Sequence, residues 1–163
     1  MTTIYLDTET TGLSPAKGDR IVELAIVDDG GVPLLDTLVN PGCPIPWYAR
    51  NVHGISDEMV AGAPSLSALL PRIREIAAAS RTLVIYNASF DLPFFPPGTW
   101  DGVEVRCAMR RFADVNGTRW QKLDAAARQV RHRWTGDKHR ALADALAARS
   151  VWRWCEQKAR ASA

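Results

Sequence analysis

Extended apolar runs dominate the start of the chain, and helical spacing dominates its last third. Thr2 to Thr8 (TTIYLDT) reads as a strand, and Arg20 to Asp28 (RIVELAIVD) as a second, rich in β-branched residues. Asp28-Asp29-Gly30-Gly31 supplies turn chemistry before a third run, Pro33 to Val39, so three successive strands predict an antiparallel meander. Asn40 to Pro46, with three prolines and a glycine, is a loop. Ser56-Asp57-Glu58 starts a short helix and Ser65 caps a longer one, in which Leu66, Leu69, Leu70, Ile73, Ile76 and Ala77 recur at the helical period across Pro71. Thr82 to Tyr86 (TLVIY) is a short apolar strand of the kind buried on both faces, and Val103 to Arg106 is a fifth. Helices over Cys107–Asp114, Lys122–Val130 and Lys138–Lys158 complete the chain. The simplest architecture is α/β, a five-stranded mixed sheet flanked by helices.

Composition narrows the class. At 163 residues and 18.0 kDa, with 47% hydrophobic residues and no linker or repeat, the chain predicts one domain, residues 1–163, with a sizeable core. It shows no basic stretch followed by an apolar run and no segment near the roughly 18 apolar residues of a membrane span, so a soluble cytoplasmic protein without a membrane partner is expected. Cys43, Cys107 and Cys155 are odd in number and scattered, which favours reduced thiols over disulfides or a cysteine zinc site. The net charge of +2 conceals an asymmetry: residues 1–81 hold 6 Lys+Arg against 10 Asp+Glu, and residues 82–163 hold 14 against 8. Ten of those cations lie between Arg106 and Arg140 among only three acids, with Trp120 and Trp134 beside them. Such an arc is either a solvated basic surface or a rim facing phosphates.

The polar positions that interrupt the apolar runs carry the chemistry. Asp7 and Glu9 in LDTETTGL share a strand face, with Cα atoms about 6.6 Å apart, so their carboxylates can meet at one point. Taken alone, that pair is also what a strand fraying into solvent looks like. Asp91 lies in YNASFDLPFF, an acid among Phe90, Leu92, Phe94 and Phe95; a carboxylate there must cap a backbone, pair with a cation or bind metal. In DKHRALADALAARS, Asp144 heads a helical stripe of Ala148, Val151 and Cys155, within about 40° of each. His139 lies five positions before it, about 140° around an ideal helix, and reaches the same cleft only from a frayed first turn. Four carboxylates in one site repel unless divalent cations neutralise them, and an all-oxygen set favours Mg²⁺ or Mn²⁺ over zinc.

DTETTGL, NASFD and HRALAD, in this order, resemble the three motifs of the DEDD superfamily of 3′-to-5′ exonucleases, in the histidine subtype (DEDDh) typified by DnaQ-like proofreading enzymes. NVHGISDEMV, Asn51 to Val60, resembles the family's His-Gly-Ile segment, which helps hold the terminal nucleotide. The resemblance implies a ribonuclease H-like fold and two divalent cations, Mg²⁺ or Mn²⁺, with Asp7, Glu9 and Asp144 on the first, Asp7 also on the second, and Asp91 beside it. It implies that His139 takes the proton from the attacking water in a two-metal cleavage releasing nucleoside 5′-monophosphates from a 3′ end. Thr8, Thr10, Gly12, Leu13, His53, Asn87 and Phe90 are then the expected nucleotide contacts, and the partner is a single-stranded or frayed DNA end. An RNA-trimming exonuclease of the same family and a silent, polymerase-associated binding module are the alternatives. One departure is Tyr86, where the family commonly has histidine; as a strand residue it is expected to pack inward.

Overall fold

The computed structural model describes residues 2–161. Strands β1 (Thr2–Thr10), β2 (Ile21–Asp28) and β3 (Pro33–Leu38) form the antiparallel meander, β1 pairing with β2 from Ile4 opposite Asp28 to Thr10 opposite Ile21. The β2–β3 turn is held by the Asp28 carboxylate, which accepts the Val32 N–H at 2.8 Å, and by Gly31 at φ 86°, a value that favours glycine. Helices α1 (Trp47–His53), α2 (Asp57–Val60) and α3 (Leu66–Ala78) lead to β4 (Ser80–Ile85), which lies parallel to β1. A single-turn helix, α4 (Ala88–Asp91), precedes β5 (Glu104–Cys107), parallel to β4; then come α5 (Ala108–Asn116), α6 (Leu123–Gln129) and α7 (Ala141–Ala161). The sheet order is β3-β2-β1-β4-β5. Among the described residues no helix is long and apolar enough to cross a membrane.

Strand parity separates two cores. Ile4 and Leu6 of β1, Leu24 and Ile26 of β2, and Leu83 and Ile85 of β4 face one side, where Ile73 and Ile76 of α3 and Phe94 and Phe95 cover them. Burying residues of this size contributes roughly 1.5–3 kcal/mol each, enough to carry α3 through Pro71 despite a cost of about 3 kcal/mol. Tyr5, Ala25, Val27, Val84 and Tyr86 face the other side, against Ala141, Ala145, Ala148, Val151 and Cys155 of α7. The small residues of α7 bring its backbone close to the strands, and the same parity directs Asp7, Glu9 and Glu23 toward that helix.

The elements follow the sequence pattern apart from shifts of one or two residues at several ends, the unexpected single turn α4, and the following differences. β4 starts at Ser80, two residues earlier than its apolar run, because backbone pairing with Thr2 extends it. α1 is absent from the pattern: only Ala49 and His53 of its seven residues are buried, too few to set a period. α7 begins at Ala141, three residues later than expected, because His139 lies at φ 60° in the left-handed region and cannot be its first turn.

Candidate active site

β1 delivers Asp7 and Glu9 toward its C-terminal end, where its register with β2 shifts between Glu9 and Thr10 and the strand stops. Asp144 comes from the first turn of α7, and one carboxylate oxygen from each of these three residues lies within 4.8 Å of the others. Asp91 enters from α4, almost fully buried, and its Oδ1 accepts the Thr8 hydroxyl at 2.7 Å. The four acids line one cleft of about 440 Å³, together with Thr8, Asn87, Phe90 and His139. A hollow of about 530 Å³ beside Pro15 and Pro93–Pro97 is larger, but its one carboxylate, Asp19, is engaged by the Ser14 N–H at 2.9 Å.

His139 reaches the cleft from the loop ahead of α7 rather than from a frayed helical turn. Its N–H donates to Asp144 Oδ1 at 3.3 Å, and its Nδ1 lies 4.0 Å from Asp144 Oδ2, with more than half of the side chain exposed. This placement depends on a residue the motifs do not contain. Glu23 of β2, directly opposite Glu9 and buried, accepts both Nε (3.0 Å) and Nη2 (2.6 Å) of Arg140 and also the Ala141 N–H at 2.9 Å. A strand carboxylate thus satisfies an orphan N–H of the helix start and fixes the residue next to His139. The signal was present in the sequence: an acid inside RIVELAIVD stands out for the same reason that Asp91 does.

Burial, joined at Asp7 and Glu9 by the charges of the neighbouring acids, raises the affinity of the acids for protons. Burial, then the charges of Asp91, Asp144 and Glu9, hold Asp7 well above the usual carboxylate range. Burial, reinforced by Asp144 and Glu23, pushes Glu9 up to about 8. Burial carries Asp91 to about 7 against the opposing hydrogen bond from Thr8, and carries Asp144 to about 6 against the pull of His139. A dense, oxygen-only cluster of this kind is matched by hard divalent cations, which remove the repulsion that the side chains cannot relieve among themselves.

The expected nucleotide contacts divide. Thr8, Asn87 and Phe90 line the cleft, whereas Thr10, Gly12, Leu13 and His53 lie outside its lining. The hydroxyls of Thr8 and Thr10 are engaged internally, Thr8 on Asp91 and Thr10 on the Gly12 carbonyl at 2.7 Å, which leaves their backbone to meet a nucleotide. Gly12 itself makes room for a neighbour, since a Cβ there would fall 2.4 Å from Asp19 Oδ1. Leu13 is 83% exposed. His53 is buried, with Nδ1 accepting the Ile55 N–H at 3.0 Å and the Thr10 backbone as a further hydrogen-bond partner of the ring. Tyr86 packs inward as expected, and its hydroxyl also donates to the Gln121 carbonyl at 2.6 Å. The basic arc is partly consumed by ion pairs: Arg106 with Glu104, Arg111 with Glu156, Arg128 and Lys138 with Asp124, and Arg140 with Glu23.

Comparison with known proteins agrees with this geometry. Residues 4–151 match the family model RNase_T, described as Exonuclease. An uncharacterized exonuclease CP81 of Escherichia phage 186 is 36% identical over 86% of this chain and 81% of its own length. A DNA polymerase III subunit epsilon-like protein of Rhodobacter capsulatus is 46% identical over 58% of this chain, a match that spans only 14% of that protein. Among solved structures, exonuclease X in complex with 5′ overhanging duplex DNA superimposes with a TM-score of 0.77 at 28% identity, covering 95% of this chain and 91% of the other. The nuclease domain of 3′hExo, a DEDDh family member bound to rAMP, shares the fold with a TM-score of 0.73 at 15% identity, over 96% and 92% of the two chains.

Proposed function

The chain belongs to the RNase T family of exonucleases, and from that premise we propose that it removes nucleotides one at a time from the 3′ end of single-stranded or frayed DNA, releasing nucleoside 5′-monophosphates. The observation that carries this reading is the convergence of Asp7, Glu9 and Asp144 within 4.8 Å, with Asp91 and His139 in the same cleft.

Asp7, Glu9 and Asp144 are the residues that would hold one divalent cation, Mg²⁺ or Mn²⁺, with Asp7 and Asp91 toward a second. Bound there, the cations would supply charge stabilisation for the attacking and leaving oxygens of phosphodiester cleavage. His139 accepts the proton of the attacking water; with Nδ1 turned toward Asp144, Nε2 is the nitrogen left for that role. Thr8 orients Asp91 through its hydroxyl, and Glu23 with Arg140 holds the loop that carries His139. Phe90 and Asn87 flank the terminal nucleotide. The names of the epsilon-like relatives support a DNA polymerase as protein partner. Exonuclease X, 28% identical and solved in complex with 5′ overhanging duplex DNA, supports DNA over RNA.

The test is degradation of matched 5′-labelled DNA and RNA oligonucleotides. The reading expects stepwise shortening of DNA with Mg²⁺ or Mn²⁺, arrest by chelator and loss in Asp144→Ala. Shortening that survives Asp144→Ala overturns the site, and a preference for the RNA strand replaces the substrate.

A further inference from the structure

We propose that the connection from α5 to α6, residues 118–122, is a stacking and phosphate subsite for the strand upstream of its 3′-terminal nucleotide, with Trp120 as the base platform and Arg119 and Lys122 as the backbone contacts. The subsite rests on the exonuclease reading above and adds to it where the rest of the substrate lies.

Lys122 and Leu123 line the same cleft as the carboxylates, so this connection forms part of the site's wall. Trp120 stands two residues from Lys122, at most about 7.6 Å between Cα atoms. Its indole is 67% exposed. Trp100 packs on Phe95, Trp154 on Phe112, and Trp134 lies under Lys138, while Trp47, 68% exposed, meets Tyr48 on α1 and lies outside the cleft lining. Among the described residues Trp120 meets no other ring and no cation, and Arg119 and Lys122 make no ion pair within 4 Å, unlike Arg106, Arg111, Lys138 and Arg140 of the same basic arc.

The connection is anchored while these three side chains remain free. The buried Tyr86 hydroxyl donates to the Gln121 carbonyl at 2.6 Å, the Thr118 N–H donates to the Ala113 carbonyl at 3.0 Å, and Gln129 donates to the Gln121 side chain at 2.5 Å. An exposed indole on a fixed backbone, flanked by two free cations at the wall of a phosphodiester-cleaving cleft, matches the chemistry of single-stranded nucleic acid: each base offers a face to stack and each nucleotide a phosphate. It also gives the tyrosine at position 86 a purpose beyond filling the sheet face, since its hydroxyl ties that wall to the end of β4.

The experiment measures KM and kcat for the p-nitrophenyl ester of thymidine 5′-monophosphate and for oligothymidylates of increasing length, with Mg²⁺, in wild type, Trp120→Ala, Trp120→Phe and Lys122→Met. Wild type is expected to show a KM about tenfold lower for the longer strands. Trp120→Ala should lose most of that length dependence, Trp120→Phe should retain much of it, and Lys122→Met should reduce the slope of log KM against log salt by about 0.7. Full length dependence retained in Trp120→Ala, or no length dependence in wild type, overturns the subsite while leaving the exonuclease reading intact. A wild type that hydrolyses neither substrate overturns both.

Discussion

The two faces of the sheet do different work although the same strands supply both. On the α3 face β1, β2 and β4 present Ile4, Leu6, Leu24, Ile26, Leu83 and Ile85, branched residues that interlock in a fully apolar core. On the α7 face the strands present Tyr5, Ala25, Val27 and Val84 and then, toward the end of β1, Asp7, Glu9 and the neighbouring Glu23, against a helix whose contact stripe is alanine, valine and cysteine. One face supplies cohesion; the other gives up bulk so that α7 can bring Asp144 to within 4.8 Å of the strand carboxylates. Parity therefore divides stability from chemistry within a single strand.

Asp144→Asn should break the comparison most sharply. Nuclease activity should fall on the order of 10³-fold, while the metal-free protein melts at or above the wild-type temperature because one of the mutually repelling acids is gone; calorimetric melting alongside an oligonucleotide assay reads both. Next in size, His139→Ala should lower kcat by about 10²-fold and leave strand binding nearly unchanged, which a binding titration in the presence of metal checks. Ile85→Ala is the converse case. It should cost about 2–5 kcal/mol of stability by denaturant unfolding and leave kcat per folded molecule near wild type. Ala145→Leu tests the closeness of α7: overpacking costs about 1–3 kcal/mol, and because it lifts the helix that carries Asp144, activity should fall with it.

The last test is one of pH. Glu9, Asp91 and Asp144 hold their protons to about 8, 7 and 6 in the folded chain, against roughly 4 when unfolded. The folded state then binds more protons than the unfolded one across that window. Their contribution to metal-free stability is fully present below about pH 4 and is lost as pH rises to about 8. Added Mg²⁺ or Mn²⁺ should raise the melting temperature more at pH 8 than at pH 5.5; an equal shift at both contradicts the assignment.

Much of this division was legible in the sequence. The five strands, the order of the three acidic motifs and the apolar stripe behind Asp144 are local patterns with a period of two or 3.6, and the structure reproduces them. What was not legible depends on residues far apart in the chain. The left-handed turn at His139 and the late start of α7 go with the contacts of Glu23 to Arg140 and Ala141, 117 and 118 positions away, which no periodicity reports. The resemblance places the threonines of DTETTGL beside the terminal nucleotide but does not report that the Thr8 and Thr10 hydroxyls hydrogen-bond within the protein, as a hydroxyl beside a buried acceptor is drawn to it. α1 carries Trp47 and Tyr48 exposed, so its hydrophobic pattern points outward and disguises the helix.

The most direct measurement is calorimetric titration of Mn²⁺ into the nucleic-acid-free protein at pH 7, repeated in buffers of different ionisation heat and with Asp144→Asn. Because Glu9 is mostly and Asp91 about half protonated at that pH, saturable binding should be accompanied by proton release, and both should weaken together in the variant. Saturable binding with no proton release, or binding unchanged in Asp144→Asn, would contradict a metal centre built from these carboxylates.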